Sequence, residues 1–453
     1  MKLLSLSEAL LLEMGAKKLC TICGHPTTNY HFYRNGAWYC KTTSLQSPGP
    51  NHDKAAVAAA LASGKAPVSA GTPNSGGQSS SSSSSTPKTK VKAAPAQTFP
   101  EGSLKAKISK WLKDHGVENY VINDDDTVSV NGDVELINLQ YKRLPVTFKE
   151  ITGNVTIVAS RLETLAGLPQ TINGDLEMNK VKVLDWTGCP AIVKGSVHLE
   201  SSIVNGFGGD VLREVGKGVY LDFSVIESLK GFPPLVRGDL SLRSSSVKSL
   251  EGLENTHVMG NFSLQEVKNV TNLRGIPKRI EGDLILTKME MLKTFDGIGE
   301  VGGKIDAAGL GIVSLVGLPQ TINGSLSINS CPKLTSIEGI PSTIKGDLTL
   351  DCDHIATLGH IHKHLKYIGG TFIIASATKW NSTTYTYDLK LSRVLGLAMI
   401  RGLKRVDFAR GSGSNSPART AEAIINLVIA GDIDIHEAQE QLIDAGFGNM
   451  ARL

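Results

Sequence analysis

The residue types best suited to chemistry lie near the start of the chain, in "CTICGHPTTNYHFYRNGAWYCKTTSLQSPGPNH", which runs from Cys20 to His52. Two residues separate Cys20 from Cys23, a spacing that offers two thiolates on one turn, as a tetrahedral zinc ion needs. Cys40 supplies a third ligand. His52 is the expected fourth, because "SPGPN" before it can turn the chain back, and His25 and His31 are its alternatives. "YRNGAWYC" reads as a β-hairpin with an Asn-Gly turn that delivers Cys40. The pattern predicts one structural zinc ion. Two other readings compete. The cysteines could be reduced core residues, or Cys20 and Cys23 a redox pair, although no thioredoxin-like pattern surrounds them.

The arrangement resembles a zinc ribbon or zinc knuckle. Arg34, Lys41, Tyr30, Tyr33 and Trp38 interleave basic and aromatic side chains, which suits contact with nucleic acid. The competing view makes the aromatics the small core of the module, and Trp38 fits that view best. A second cluster, His354, His360, His362 and His364, puts two histidines at i and i+4. No glutamate stands between them in an HExxH frame, so surface histidines are expected.

These residues sit on a chain of 453 residues, 41% of them hydrophobic, which is enough to bury a sizeable core. A net charge of +4 is too small to imply nucleic acid by itself. The other cysteines, Cys189, Cys331 and Cys352, are scattered and do not form a disulfide framework, so a reducing cytoplasm is expected. At the N-terminus Glu8 and Glu13 interrupt the apolar run, which favours an amphipathic helix over a signal peptide. No run reaches the roughly 18 apolar residues that a membrane span needs. Of the Asn-x-Ser/Thr sites at Asn154, Asn261, Asn269 and Asn381, two fall on a recurring Gly-Asn step.

That step belongs to a repeat. A glycine, a polar residue and then apolar-any-apolar recur as "GDVEL" at Gly132, "GNVTI" at Gly153, "GDLEM" at Gly174 and onward to "GTFII" at Gly370. Twelve copies follow one another at steps of 21 or 22 residues, with 24 at the last; the copy "KGVYL" at Lys217 has lost the leading glycine. A period this regular predicts a solenoid. Each apolar-any-apolar triplet reads as a short strand with alternate side chains pointing inward. "LxxLxGLP", as at Leu162 to Pro169, supplies stacked aliphatics. The apolar residue two before the glycine, such as Ile172 or Val193, closes the layer. Parallel pairing at about 4.8 Å per coil gives a sheet roughly 50–60 Å long.

The expected organisation is a zinc module (1–52), a disordered Ser/Ala/Lys-rich linker (53–100), an N-terminal helical cap (101–120), the solenoid (121–376) and a C-terminal helical cap (377–453). The fold class is mainly β: a leucine-rich-repeat-like parallel β-solenoid of about twelve coils with helical caps. Leu104, Ile108, Trp111 and Leu112 are expected on one face of the first cap. Ser416-Pro417 and Asp434 with Glu437 read as helix starts, and Ile424, Ile425, Val428, Leu442 and Ile443 as the buried face of the last cap. "TYDLKLSRVLGLAMIRGLKRVDF" reads as a departure from the repeat.

"INDDDTVSVNGDVEL", "GLPQTINGDLEM" and the ending "GDIDIHEAQEQLIDAGFGNMARL" resemble the leucine-rich-repeat-like proteins carried by tailed bacteriophages. The resemblance covers about residues 103–453. It implies a viral protein made in a bacterial host cytoplasm and carries over no catalytic residue.

Outward strand positions form a stripe from Glu135 to Ile373, and the most distinctive patch on it is Glu177, His198, Glu200, Tyr220 and Asp222. The expected function is a non-enzymatic interaction protein, a protein-binding solenoid tethered to a zinc module. One alternative is a phage factor that binds DNA or RNA through the zinc module and basic linker. Another is a virion component, including a tailspike-like polysaccharide enzyme, for which the stripe has too few aromatics.

Overall fold

The computed structural model describes His31–Arg34, Ala37–Cys40 and residues 97–453, save for 184, 209–210, 376–377, 383–385, 390 and 409–416. The chain divides into two units, Met1–Lys90 and Val91–Leu453. In the first, His31–Arg34 and Ala37–Cys40 pair antiparallel as a hairpin, with Phe32 opposite Tyr39 and Tyr33 opposite Trp38.

The second unit is a parallel β-solenoid of about eleven turns with coils of about 22 residues. Each of the twelve repeat copies becomes a strand of one broad sheet, from Val134–Ile137 to Thr371–Ala375, and twelve strands enclose eleven complete turns. The expectation of about twelve coils counted strands where turns are the structural unit. Corresponding residues pair in register, Val134 with Val155 and Leu348 with Phe372. The inward residues between them are buried in one continuous core. Each coil therefore rests on its two neighbours, and stability is local.

The residue expected to close the layer builds a sheet of its own. Thr171–Ile172, Ile192–Val193 and their equivalents, two residues each, pair in parallel in a second sheet of ten strands, which begins with the longer strands Tyr120–Ile122, Val128–Val130 and Phe148–Ile151, the first two of them antiparallel. It continues separately through Thr321–Ile322, Thr343–Ile344 and Tyr367–Ile368. A third, short sheet joins Lys182–Val183, Ile203–Val204 and Val225–Ile226.

The corner between the first two sheets explains the Gly-Asp/Asn signature. The corner glycines stack directly on one another: Gly153 N–H donates to Gly132 O, Gly174 to Gly153 and Gly282 to Gly260, all near 3.0 Å. A Cβ on Gly282 would lie 2.6 Å from Gly260 O and from Asn261 Oδ1, so a side chain there would force the two coils apart. The next residue reaches across coils. Asp239 Oδ1 accepts from Asn261 N–H (2.7 Å), Asn261 Oδ1 from Asp283 N–H (2.8 Å) and Asp283 Oδ1 from Lys304 N–H (2.8 Å). Asn154 sits in the same ladder between Asp133 and Asp175. The glycine of "GLP" does different work. Gly317 has φ 95°, which a residue with a side chain adopts only at a cost.

A second ladder is internal. In most coils one residue, among them Ala159, Lys180, Phe223 and Lys288, takes a left-handed backbone just past the strand, at φ between 51° and 62° where it is not glycine. At Ser202 and Ser224 the buried serine that follows it satisfies backbone groups of the coil before. Ser202 Oγ accepts from Val181 N–H and donates to Met178 O, and Ser224 Oγ accepts from Ser202 N–H and donates to Leu199 O.

The ends are covered as expected, with corrections. Ser103 caps the helix Leu104–Asp114 by accepting from Ala106 N–H. Ile108 and Leu112 enter the core and Trp111 packs against it, but Leu104 is exposed. The apolar segment after the solenoid rejoins it: Arg405–Asp407 pairs in parallel with Thr371–Ala375, Phe372 opposite Val406. Beyond it stand the helices Pro417–Ala430 and Ile435–Asp444. Asp434 caps the latter by accepting from His436 and Glu437 N–H, while Glu437 Oε1 accepts from Gln441 instead of closing the box. Ile424, Ile425 and Leu442 are buried and Val428 packs against them, but Ile443 faces solvent. Among the described residues no helix is long and apolar enough to cross a membrane.

Candidate binding face

The predicted patch comes together on the broad sheet. Val197–His198 lies between Leu176–Glu177 and Val219–Tyr220, with His198 opposite both Glu177 and Tyr220. In-register pairing therefore sets the three outward side chains side by side at strand spacing, about 4.8 Å. Glu200 and Asp222 stand two residues further along the same face. The His198 ring stacks on Tyr220, with centroids 4.9 Å apart and planes 18° from parallel. Gly218 leaves room for the Tyr220 ring, since a Cβ there would be 2.6 Å from its hydroxyl oxygen.

Hydrogen bonds fix the carboxylates. His198 Nδ1 is 3.0 Å from Glu200 Oε1, and this bond holds the His198 pKa above its usual value against the opposing effect of burial. Asn179 links two members by donating to Glu177 Oε1 (2.8 Å) and accepting from Glu200 N–H (2.9 Å). Asp222 Oδ1 accepts from Ser241 Oγ (2.5 Å) and Arg243 N–H (3.1 Å). Burial raises the Asp222 pKa and those two bonds oppose it. The Tyr220 pKa is also raised, first by burial and then by the charges of Asp239, Glu200, Asp222 and Asp175. Glu200 Oε2 is shielded from solvent and has no hydrogen-bond donor among the described residues.

Asn179 and Ser241 are members that sequence reasoning did not assign to the patch. The signal for Asn179 was present, because it occupies the same outward column as Glu200 and Asp222. Further along, the stripe continues with small or half-buried side chains, Ser263, Ile285, Ser327 and Thr349 among them.

The other predicted sites divide. Cys20, Cys23, His25 and His52 lie outside the described residues. His31 and Cys40 are directly paired at the open end of the hairpin, so the backbone brings one alternative ligand opposite one predicted ligand. His360, His362 and His364 do not form an i, i+4 metal pair, because the one-turn helix Ile361–His364 begins after His360. The His360 and His362 rings are 6.0 Å apart, and His354, His360 and His364 are exposed. Among the described residues no three His, Cys, Asp or Glu side chains converge as a metal site. Comparisons with family models, with curated proteins and with solved structures find no match to the chain.

Proposed function

We propose that this chain is a non-enzymatic interaction protein whose broad sheet docks a basic segment of a protein partner, with a zinc-binding N-terminal module tethered to it. The observation that carries the proposal is the patch at Glu177, His198, Glu200, Tyr220 and Asp222. Three carboxylates surround a stacked ring pair, and Asp175 and Asp239 add negative charge to the same field. Such a surface suits an arginine, whose planar guanidinium stacks on a ring face while its N–H groups reach carboxylates. The short side chains of Ser263, Ser327 and Thr349 further along the same column leave room for the rest of a partner segment. The serine-rich composition of residues 53–100 supports a flexible tether, which raises effective concentration when both ends engage one assembly. The finer assignment, a leucine-rich-repeat-like solenoid from a tailed bacteriophage acting in a bacterial host cytoplasm, rests on the sequence resemblance.

The test compares the tagged protein with the variant Glu177→Gln/Glu200→Gln/Asp222→Asn in affinity capture followed by mass spectrometry. A partner captured by the wild type should be lost or weakened at least tenfold in the variant, and more salt should weaken the wild-type interaction. Identical captured sets, with both proteins folded, would remove the reading.

A second reading has one observation in its favour. The hairpin pairs Tyr33 with Trp38 and ends in Arg34, interleaving base and aromatic on one short element. Nucleic-acid binding by that region predicts a salt-dependent mobility shift of single-stranded DNA or RNA by the full chain. No shift at low salt would dismiss it.

A further inference from the structure

The C-terminal end of the solenoid carries a second feature, far in sequence from the acidic patch. The loops at residues 335–340 and 357–364 border a recess of about 630 Å³. That lies within the roughly 300–1,000 Å³ of small-molecule sites and is several times the volume of an isolated oxyanion. Ile337, partly exposed, supplies its apolar floor, while Leu358 and Ile361 are fully buried.

The polar groups on the rim are mostly donors. Ser336 Oγ accepts from Glu338 N–H (3.1 Å) and Thr357 Oγ1 from Gly359 N–H (3.0 Å). Each hydroxyl has used a lone pair and keeps its proton for an outside acceptor. Lys363, His360 and His364 complete the rim, and no ion pair is formed by any of the three among the described residues. The local field is positive. The charges acting on His360 are those of Lys363, Arg393 and His364, and together with slight burial they hold its pKa below the usual histidine value. His362 is depressed by burial and then by His360, Lys363 and Lys366. Glu338 is the one carboxylate on the rim, and it is not among the charges that act on His360 or His362.

We propose that this recess binds a phosphorylated small organic molecule, its phosphate held by Lys363, His360, His364 and the Ser336 and Thr357 hydroxyls and its organic body resting on Ile337. A phosphate has acceptor oxygens in several directions, which matches donors converging from two loops, and lysine serves such groups as a point charge. An apolar floor beside the cationic rim gives the remainder of the molecule a place that a free ion would not use.

The experiment follows histidine ring signals of the full-length protein by NMR while glucose 6-phosphate, inorganic phosphate, glucose or succinate is added at constant ionic strength. With glucose 6-phosphate the His360 and His364 signals should shift along one saturable curve and the apparent pKa of His360 should rise, while the His198 signal stays unchanged. Glucose should give no shift, and inorganic phosphate should bind more weakly than the sugar phosphate. Lys363→Gln, at an exposed position, should weaken binding about tenfold, the loss of one charge-assisted bond. Lys363→Ala with an unaltered unfolding midpoint serves as the second variant. Shifts that fail to saturate, that are the same for sodium chloride, or that survive both substitutions would overturn the proposal. Succinate binding as tightly as the sugar phosphate would overturn the phosphate assignment. Loss of protein docking at the acidic patch leaves this result unaffected, so the two proposals fail separately.

Discussion

The stacked corner glycines make a quantitative prediction, and Gly282→Ala tests it in the middle of the ladder. An added Cβ would lie 2.6 Å from Gly260 O and from Asn261 Oδ1, against the 3.0 Å below which such contacts essentially do not occur. The coils must therefore part by about 0.4 Å at this corner, the difference between those two distances. That movement strains the packing, at about 1–3 kcal/mol. It also weakens the Gly282 N–H bond to Gly260 O (3.0 Å) and the Asp283 N–H bond to Asn261 Oδ1 (2.8 Å), at about 0.5–1.5 kcal/mol each. Replacing glycine restricts the unfolded chain and returns about 0.4–1 kcal/mol. The net expectation is a loss of roughly 1–5.5 kcal/mol, with a midpoint of about 3 kcal/mol. Urea unfolding measures it, and hydrogen exchange should find faster exchange concentrated in the coils on either side of Gly282. Gly448→Ala is the control, because no atom lies within 4 Å of its added Cβ. If Gly282→Ala is as stable as Gly448→Ala, the close-approach explanation of the repeat glycine is wrong.

Further predictions address other parts of the molecule. Phe262 is fully buried in the inward row, so Phe262→Ala should cost about 3–5 kcal/mol in denaturant unfolding. The raised pKa of His198 stabilises the fold below the unfolded value, and that contribution is lost as pH rises through the folded value. Glu200→Gln should therefore flatten the pH dependence of stability across the neutral range, and an unchanged profile would argue against the pair. Burial pushes the Cys189 thiol up to about 12, so it should resist alkylation at pH 8 in the folded protein and react once unfolded, as peptide mapping would record. Metal analysis of the purified chain should find one zinc, lost on Cys20→Ser/Cys23→Ser; a metal-free protein would refute the zinc assignment.

Much of the architecture was legible because one period governs it. The copies from Gly132 to Gly370 gave strand positions, the inward and outward columns, and with them the patch from Glu177 to Asp222. What escaped was whatever depended on the neighbouring coil or on an unremarkable residue type. Ile172 and Val193 occur in two-residue strands, too short to show alternation, so the second sheet passed as packing. Asn261 and Asp283 look like ordinary turn residues, and their role as rungs depends on a partner 22 positions away. Ala159, Lys180 and Phe223 carry no signal for a left-handed backbone, and register pairing with the next coil holds them there. Arg405–Asp407 lacks the repeat motif yet pairs onto the sheet, because the edge strand Thr371–Ala375 offers unpaired backbone groups. Helical spacing alone places Leu104 and Ile443 on buried faces, yet both are exposed.

The central claim is that the broad sheet is the docking surface. It is tested most directly by a photoreactive residue at Ser263, beside the patch, and separately at Arg279 on the second sheet. The account predicts a covalent adduct with the captured partner from position 263 and none from position 279. An adduct from position 279 alone would contradict it.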